Sequence, residues 1–317
     1  LYLPLQNIIM TRQQLLFQVC ALFGQEGYAY YASQDSKACF DVMATDCSHR
    51  ETLLVKALEN VDGFTREMND RLARISTLLG AWSVLIGGCN RAGSLEDGVV
   101  YRRYAIDVMS PHTFEQYLTG DQPTLRKEKK LLCELDPEKL KSARHELKMS
   151  RPEFSRFTGI SEEMLYRYEH GICKPVSCVA EQMEHLLGAR LTQGVSPSRN
   201  APESRQCPEA KSADLFLGFK SAYVRNPITM FLGIGTKPGE AEDVKKEVIA
   251  VHMSDDARTI SKKTGALESI SNILKSKRCI ISNLKPKDTS GIPVLTLREM
   301  RGLGKKGLIK FLSEQCE

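Results

Sequence analysis

Long apolar runs, paired-cysteine motifs and a large charge imbalance are all missing from this sequence, and each absence removes a class of function. The uncharged stretch from Thr77 to Asn90 is too short to cross a bilayer and is interrupted by Gly80, Gly87 and Gly88, so no membrane role is expected. The first ten residues carry neither a basic n-region nor a cleavage-like site, which predicts no secretory signal and a cytoplasmic location. Ten cysteines are present, but they lie singly without a C-x-x-C pair, and the six histidines add no ligand spacing around them. Reduced, mostly buried thiols are the expectation, with no metal and no cofactor. The balance of 44 basic against 39 acidic residues permits nucleic acid as a partner without demanding it. What remains is ordinary globular material, 42% hydrophobic and 26% charged, and 317 residues are enough for two or three domains.

Apolar period and turn residues outline the organisation. Met10 to Phe23 reads as a helix stopped by Gly24 and Gly27, Ala38 to Ala44 with Thr52 to Leu58 as a hairpin, and Thr65 to Leu79 as a helix closed by Gly80. Trp82 to Ile86 and Ala105 to Met109 read as strands, and Pro111 begins another helix, which together make an α/β layer over residues 1–130. The charged run from Arg126 to Lys130 introduces a helical domain over 131–191. Residues 192–213, rich in Ser, Pro, Gly and Asn, read as a linker.

Beyond the linker, 214–317 reads as a second α/β module, with strands at Leu215 to Phe219, Ile228 to Ile234, Arg278 to Ser282 and Ile292 to Thr296, and a helix at about Leu267 to Leu274. It is either a repeat of the first or an unrelated module with the same grammar. Arg74 to Leu79 followed by Val84-Leu85-Ile86 lies over Ser269 to Leu274 followed by Cys279-Ile280-Ile281 without a gap, and Ala105 to Ser110 lies over Gly291 to Thr296. On that overlay the second copy carries a charged insertion from about Pro238 to Ile260.

Residues 140 to 175 hold the most specific signal. Ser150-Arg151-Pro152-Glu153 is a capping box with proline in the first turn, and Phe154 and Phe157 give the helix it starts an apolar face. Gly159 supplies a tight turn, Ser161 a second N-cap, and the next helix runs from Glu162 to about His170, with Met164, Leu165 and Tyr168 inward and Gly171 ending it. Two short helices joined by a tight turn, preceded by one with Leu140, Ala143 and Leu147 inward, form a helix-turn-helix.

This stretch, from Leu140 through Arg144, Phe154, Ser155, Gly159, Ile160, Ser161, Met164, Tyr168, Glu169 and Gly171 to Pro175, resembles the lambda repressor and Cro class of DNA-binding domains. The resemblance implies an all-α domain whose recognition helix, Glu162 to Tyr168, enters the major groove of double-stranded DNA. Arg151, Ser161, Glu162, Glu163, Tyr166, Arg167 and Lys174 are then the candidate DNA-binding residues, with Arg151 placed to touch phosphate. It also implies a pairing of Arg144 with Glu169. Glu162 and Glu163 stand out: either they accept from cytosine amino groups, or they stabilise the helix N-terminus through its dipole.

The whole chain is similar to an archaeal family of helix-turn-helix transcriptional regulators, through Phe40-Asp41-Val42, Leu53-Leu54-Val55-Lys56, Glu59-Asn60-Val61-Asp62 and Leu95 to Tyr101. Met10-Thr11-Arg12 looks like that family's usual start, so residues 1–9 read as an upstream extension. The N-terminal layer also resembles restriction-endonuclease-like folds, in which an acid on one hairpin strand and an acid-x-lysine on the next bind Mg²⁺. Asp41 and Lys56 stand in suitable places, but Leu54 replaces the expected acid, so no catalytic residue is assigned and cleavage is not expected. In the second module the corresponding positions read as Gly218 and Gly233. The cluster of Lys and Arg from Lys275 to Lys310 is either a phosphate-contacting patch or a solvated surface.

The reading is therefore α/β modules flanking an all-α lambda-repressor-like helix-turn-helix domain. It predicts a sequence-specific regulator that binds double-stranded DNA as a homodimer, since a single recognition helix reads few base pairs. The alternatives are a structure-directed nuclease or resolvase, and a non-catalytic assembly or ligand-sensing protein.

Overall fold

A computed structural model describes residues 10–104, 106–127, 130–195, 215–216, 218–224, 226–234, 248–284 and 289–315. Residues 1–9, most of the expected linker, the start of the expected insertion, and Lys285 and Lys287 of the basic cluster lie outside the described residues. In chain order the elements are α1 (Arg12–Gln25), β1 (Ala29–Ala32), β2 (Val42–Thr45), β3 (Thr52–Asn60), α2 (Arg66–Leu79), β4 (Trp82–Asn90), β5 (Gly93–Ser94), β6 (Val99–Arg103), β7 (Ile106–Met109) and α3 (Pro111–Thr119). They continue with β8 (Leu125–Lys127), β9 (Leu131–Cys133), α4 (Pro137–Glu146), α5 (Arg151–Thr158), α6 (Glu162–Glu169) and α7 (Ser177–Leu187). The last group is β10 (Leu215–Phe216), β11 (Phe219–Tyr223), β12 (Met230–Gly233), β13 (Val248–Met253), α8 (Ala257–Leu274), β14 (Lys277–Ile281), β15 (Val294–Leu295) and α9 (Leu297–Glu314).

These elements form two compact units, one of residues 1–91, 104–106 and 198–317, the other of 92–103 and 107–197. In the first unit β1, β2, β3 and β4 are neighbours in that order, antiparallel up to β3 and parallel from β3 to β4, the crossover being α2. Strand β3 is nearly continuous in apolar residues because both of its faces are covered. Helix α1, started by a Thr11–Gln14 capping box, buries Leu15, Val19, Leu22 and Phe23. Helix α2 buries Leu72 and Ile75 and ends at Gly80, whose φ of 66° is left-handed backbone that glycine adopts freely.

The same unit holds a second sheet in the order β10 to β15, parallel from β13 onward. Its core is built from Phe219, Met230, Leu232, Ile249, Val251, Cys279 and Ile281, closed by Met300, Leu308 and Leu312 of α9. Three expectations need correction here. The strand expected over Leu215 to Phe219 is two strands, β10 and β11, joined at Gly218. Val248 to Met253, assigned to a charged insertion, is the strand β13 at the middle of the sheet, and α8 begins at Ala257, capped by Asp256, ten residues ahead of Leu267. Strand β12 is antiparallel to β13 as well as to β11, so β11–β12, on which Gly218 and Gly233 were read as the counterparts of Asp41 and Lys56, is not the one candidate hairpin among the described residues.

The second unit contains strands in the order β7, β6, β8, β9, helix α3, and the helices α4 to α7 around Leu140, Phe154, Leu165, Tyr168, Met183 and Leu191. The sequence reading places boundaries at 130/131, 191/192 and 213/214. The 130/131 cut falls in the turn of the antiparallel β8–β9 hairpin. The first residues of the expected linker are held in the same unit: Thr192 bridges Leu135, Gln193 N–H donates to Glu134 O at 3.0 Å, and Val195 is buried with its N–H on Pro123 O at 2.7 Å. No helix among the described residues is long and apolar enough to cross a membrane.

Candidate nucleic-acid interface

The helical part of the second unit is assembled by its caps. Asp136 accepts from the N–H groups of Glu138 and Lys139 to start α4, and Ser150 and Glu153 close the capping box that starts α5. Gly159, with φ 69°, ends α5, and Ser161 accepts from Met164 N–H to start α6 only two residues later. A helix, a three-residue turn and a second helix are thus fixed by side chains visible in the sequence. Leu147 and Phe157 are exceptions to the expected packing: both are exposed, and Thr158 lies inward in place of Phe157, its hydroxyl bonded to Phe154 O.

One buried carboxylate ties the pair to α4. Arg144 Nε donates to Glu169 Oε1 at 2.6 Å, its Nη1 donates to Met149 O at 2.7 Å, and Arg151 Nε donates to Glu169 Oε2 at 3.2 Å. Burial alone would push the Glu169 carboxyl up, but the hydrogen bonds and charges of Arg144 and Arg151 together outweigh it and hold the group below its ordinary value.

The candidate residues fall into two groups. Glu162 and Glu163 are exposed in the first turn of α6, where they complement its dipole. Tyr166 is exposed, with the Arg151 guanidinium 5.3 Å from its ring centroid and the His170 ring 4.0 Å from it on a 31° tilt. Arg167 is half-buried beside it. Ser161, Arg151 and Lys174, by contrast, have their polar groups engaged within the protein. Ser161 is a cap, Arg151 divides between Glu169 and Tyr166, and Lys174 forms an ion pair with Glu134, which also accepts from Arg126 Nε at 3.3 Å. Arg126 is buried on β8 and donates to buried Asp107 at 2.7 Å. His170, Glu134 and Arg126 were not singled out in the sequence, because nothing in their spacing marks the stack or the ion-pair chain.

The N-terminal hairpin brings Asp41 and Lys56 together as expected. Lys56 Nζ lies 3.1 Å from Asp41 Oδ1 and 2.8 Å from Ala38 O, and Ala57 N–H donates to Asp41 Oδ2 at 2.7 Å. A third partner was missed: Arg12, in the first turn of α1, places Nη2 2.6 Å from Asp41 Oδ1. Asp41 and Lys56 are buried, and Leu54, at the position of the expected acid, is fully buried and apolar. These residues do not fit a Mg²⁺ ion. The Asp41 carboxylate is already met by two cations and a backbone N–H, which leaves little of it for a metal. Among the described residues no group of three or more His, Cys, Asp and Glu side chains is placed to hold a metal.

Residues 12–124 match the family model of the PD-(D/E)XK superfamily domain, a nuclease fold. Over longer stretches the chain is similar to archaeal proteins bearing the name "Putative HTH-type transcriptional regulatory protein". One from Methanococcus maripaludis is 24% identical over 322 residues, covering 96% of this chain and 98% of its own length. One from Methanocaldococcus jannaschii is 24% identical across 92% of this chain and 94% of its own. One from Pyrococcus horikoshii is 31% identical over 194 residues, 60% of each chain. No solved structure matches the chain.

Proposed function

We propose that the protein is a sequence-specific transcriptional regulator that binds double-stranded DNA as a homodimer, with α4 to α7 as a lambda-repressor-like domain and α6 as its recognition helix. The observation that carries this reading is the capped α5–Gly159–α6 turn, with Glu162, Glu163, Tyr166 and Arg167 on the edge of α6 turned from its core. The names of the archaeal relatives support it. Residues 137–191 hold nine basic against eight acidic side chains, so undirected attraction to phosphate is weak and discrimination rests on the α6 edge. Tyr166 and Arg167 contact DNA in this reading, while Arg151 acts through Glu169 and Tyr166 as a positioning residue.

The experiment is recovery and sequencing of genomic fragments bound by the protein, then anisotropy titrations of a selected site against random DNA at several salt concentrations. Arg167→Ala weakens binding and reduces the salt slope by about one, and Tyr166→Ala weakens it with the slope unchanged. Absence of any preference over random DNA at moderate salt removes this reading. Two half-sites about one helical turn apart require two recognition helices, so a monomeric mass by light scattering, free and DNA-bound, counts against the homodimer.

In this reading the α/β part is a scaffold that does not cut. The clasped Asp41 and the buried Leu54 support that, because phosphodiester hydrolysis of this type needs a firmly held metal. Supercoiled, branched and single-stranded DNA stay intact with Mg²⁺ or Mn²⁺. Cleavage lost in both Asp41→Ala and Lys56→Ala replaces the scaffold with a nuclease.

A further inference from the structure

We infer that residues 215–315 are a second, diverged copy of the module matched at residues 12–124, and that the two copies are each other's docking partner, closed by exchanged helices. The strand registers coincide. In the first copy Ala32 lies opposite Val42, Val42 opposite Val55, and Val55 beside Val84 on parallel β4. In the second, Tyr223 lies opposite Met230, Met230 opposite Val251, and Val251 beside Cys279 on parallel β14. Laying Val42 on Met230 therefore carries through three successive strand pairings without a gap.

The crossover helices keep the same correspondence. Both end in left-handed backbone, at Gly80 (φ 66°) and Lys275 (φ 49°), and the next residues repeat one bond, Ala81 N–H to Ser76 O and Ser276 N–H to Ser271 O, each 2.9 Å. The Ser76 hydroxyl bonds Ser83; the Ser271 hydroxyl, at the matching place, accepts from Arg278 Nη1 at 3.1 Å. A shared strand–helix–strand grammar would not by itself repeat side-chain bonds at matching positions.

The overlay also finds the counterpart of the Asp41–Lys56 pair. Asp41 N–H donates to Val55 O at 2.8 Å, and Thr229 N–H donates to Val251 O at 3.1 Å. The Asp41 carboxylate accepts from Ala57 N–H, and the Thr229 hydroxyl accepts from Met253 N–H at 2.9 Å. Where Lys56 meets Asp41, His252 Nδ1 meets Thr229 Oγ1 at 3.3 Å. An ion pair in one copy is a neutral pair in the other.

Docking between the copies is reciprocal. Helix α2 packs on its own β4 and also on β11 and β12, while α8 packs on its own β13 and β14 and also on β1 and β2. Each helix covers strands of the other copy, which is how self-complementary surfaces of two identical subunits meet, here inside one chain. Gly233 leaves room for the approach: a Cβ there would lie 2.8 Å from Leu78 Cδ1 on α2, so the end of the leucine side chain would have to shift.

Two double-mutant cycles in the full-length protein, read as thermal midpoints, test the docking and the correspondence separately. Leu78→Ala and Gly233→Ala each lower the midpoint, and the double variant loses clearly less than the sum, because the new methyl occupies space left by the leucine. Strictly additive losses overturn the docking. Thr229→Asp sets a half-buried carboxylate beside a neutral imidazole instead of a cation and lowers the midpoint by about 10 °C, and adding His252→Lys recovers roughly half or more. A Thr229→Asp that does not fold, beside a double variant that does, supports the correspondence equally. A double variant no more stable than Thr229→Asp alone overturns it.

Discussion

Replacing Arg144 with alanine strikes the helical domain where its electrostatics are most concentrated. Arg144 and Glu169 are 4% and 3% exposed, and removing one side of such a pair costs about 3–5 kcal/mol, because the surviving charge stays out of water. The stranded carboxylate keeps Arg151, but that side chain is a third exposed and compensates weakly. The bond from Arg144 to Met149 O is lost as well, worth about 1 kcal/mol. The expected loss is about 4 kcal/mol, on the order of 20 °C in the midpoint of a unit of roughly a hundred residues. Urea unfolding followed by far-ultraviolet circular dichroism measures it, and an Arg144→Ala protein within about 0.5 kcal/mol of wild type would refute the argument. Glu169→Gln, which keeps an oxygen facing Arg144, loses about half as much. The pH dependence has a definite sign. Glu169 is held below its ordinary value, so its contribution is complete above about pH 4.3 and is lost as pH falls through the lower folded value. Wild type and Glu169→Gln therefore differ at pH 7 and converge in acid.

Asp41→Asn leaves the buried Lys56 ammonium beside Arg12 without its counter-ion and loses about 3 kcal/mol in urea unfolding, while millimolar Mg²⁺ leaves the wild-type midpoint unmoved; a clear rise with Mg²⁺ would contradict the poor fit argued above. Burial pushes the Cys39 and Cys133 thiols up to about 11, helped at Cys133 by Glu181 and Glu184. Among the cysteines of the described residues, a thiol reagent at pH 8 should therefore modify the exposed Cys47 and Cys178 first, and rapid reaction of Cys133 in the native protein would count against its burial. Burial, with the Lys263 charge, lowers His252, so the native state resists protonation that the unfolded chain accepts. Stability accordingly falls as pH drops below about 6.5 and continues to fall toward the folded value; His252→Gln should flatten that slope, measured by urea titrations at several pH values.

Features written in local chemistry were legible in the sequence. The Ser150–Glu153 box, Gly159, Ser161 and Gly171 name the limits of α5 and α6 by themselves, and the Arg144–Glu169 pair followed from family resemblance. Features that depend on distant partners were not. Arg126 sits in a charged run that reads as a boundary, yet it is buried on β8 because Asp107, nineteen residues away, receives it. Strands of three residues such as β8 and β9 carry no measurable period. Val248 to Met253 is masked in the sequence by the charged segment before it, which reads as part of an insertion. Arg12 looked like an ordinary first-turn residue, and only the fold carries it across to Asp41.

The mounting of the helical domain has a consequence for how it would meet DNA. Its chain enters through β9, paired on one side with β8 and bonded on the other to Pro175 and Val176, and leaves through Thr192, paired with Leu135. Among the described residues, entry and exit are thus both laced into neighbouring backbone. A reading head on a swivel forfeits rotational freedom each time it engages, whereas one held this way arrives already aimed. In the proposed dimer the same mounting would make spacing matter: one inserted base pair turns a half-site by about 35° and displaces it by about 3.4 Å, an error the mount would hand on to the strands.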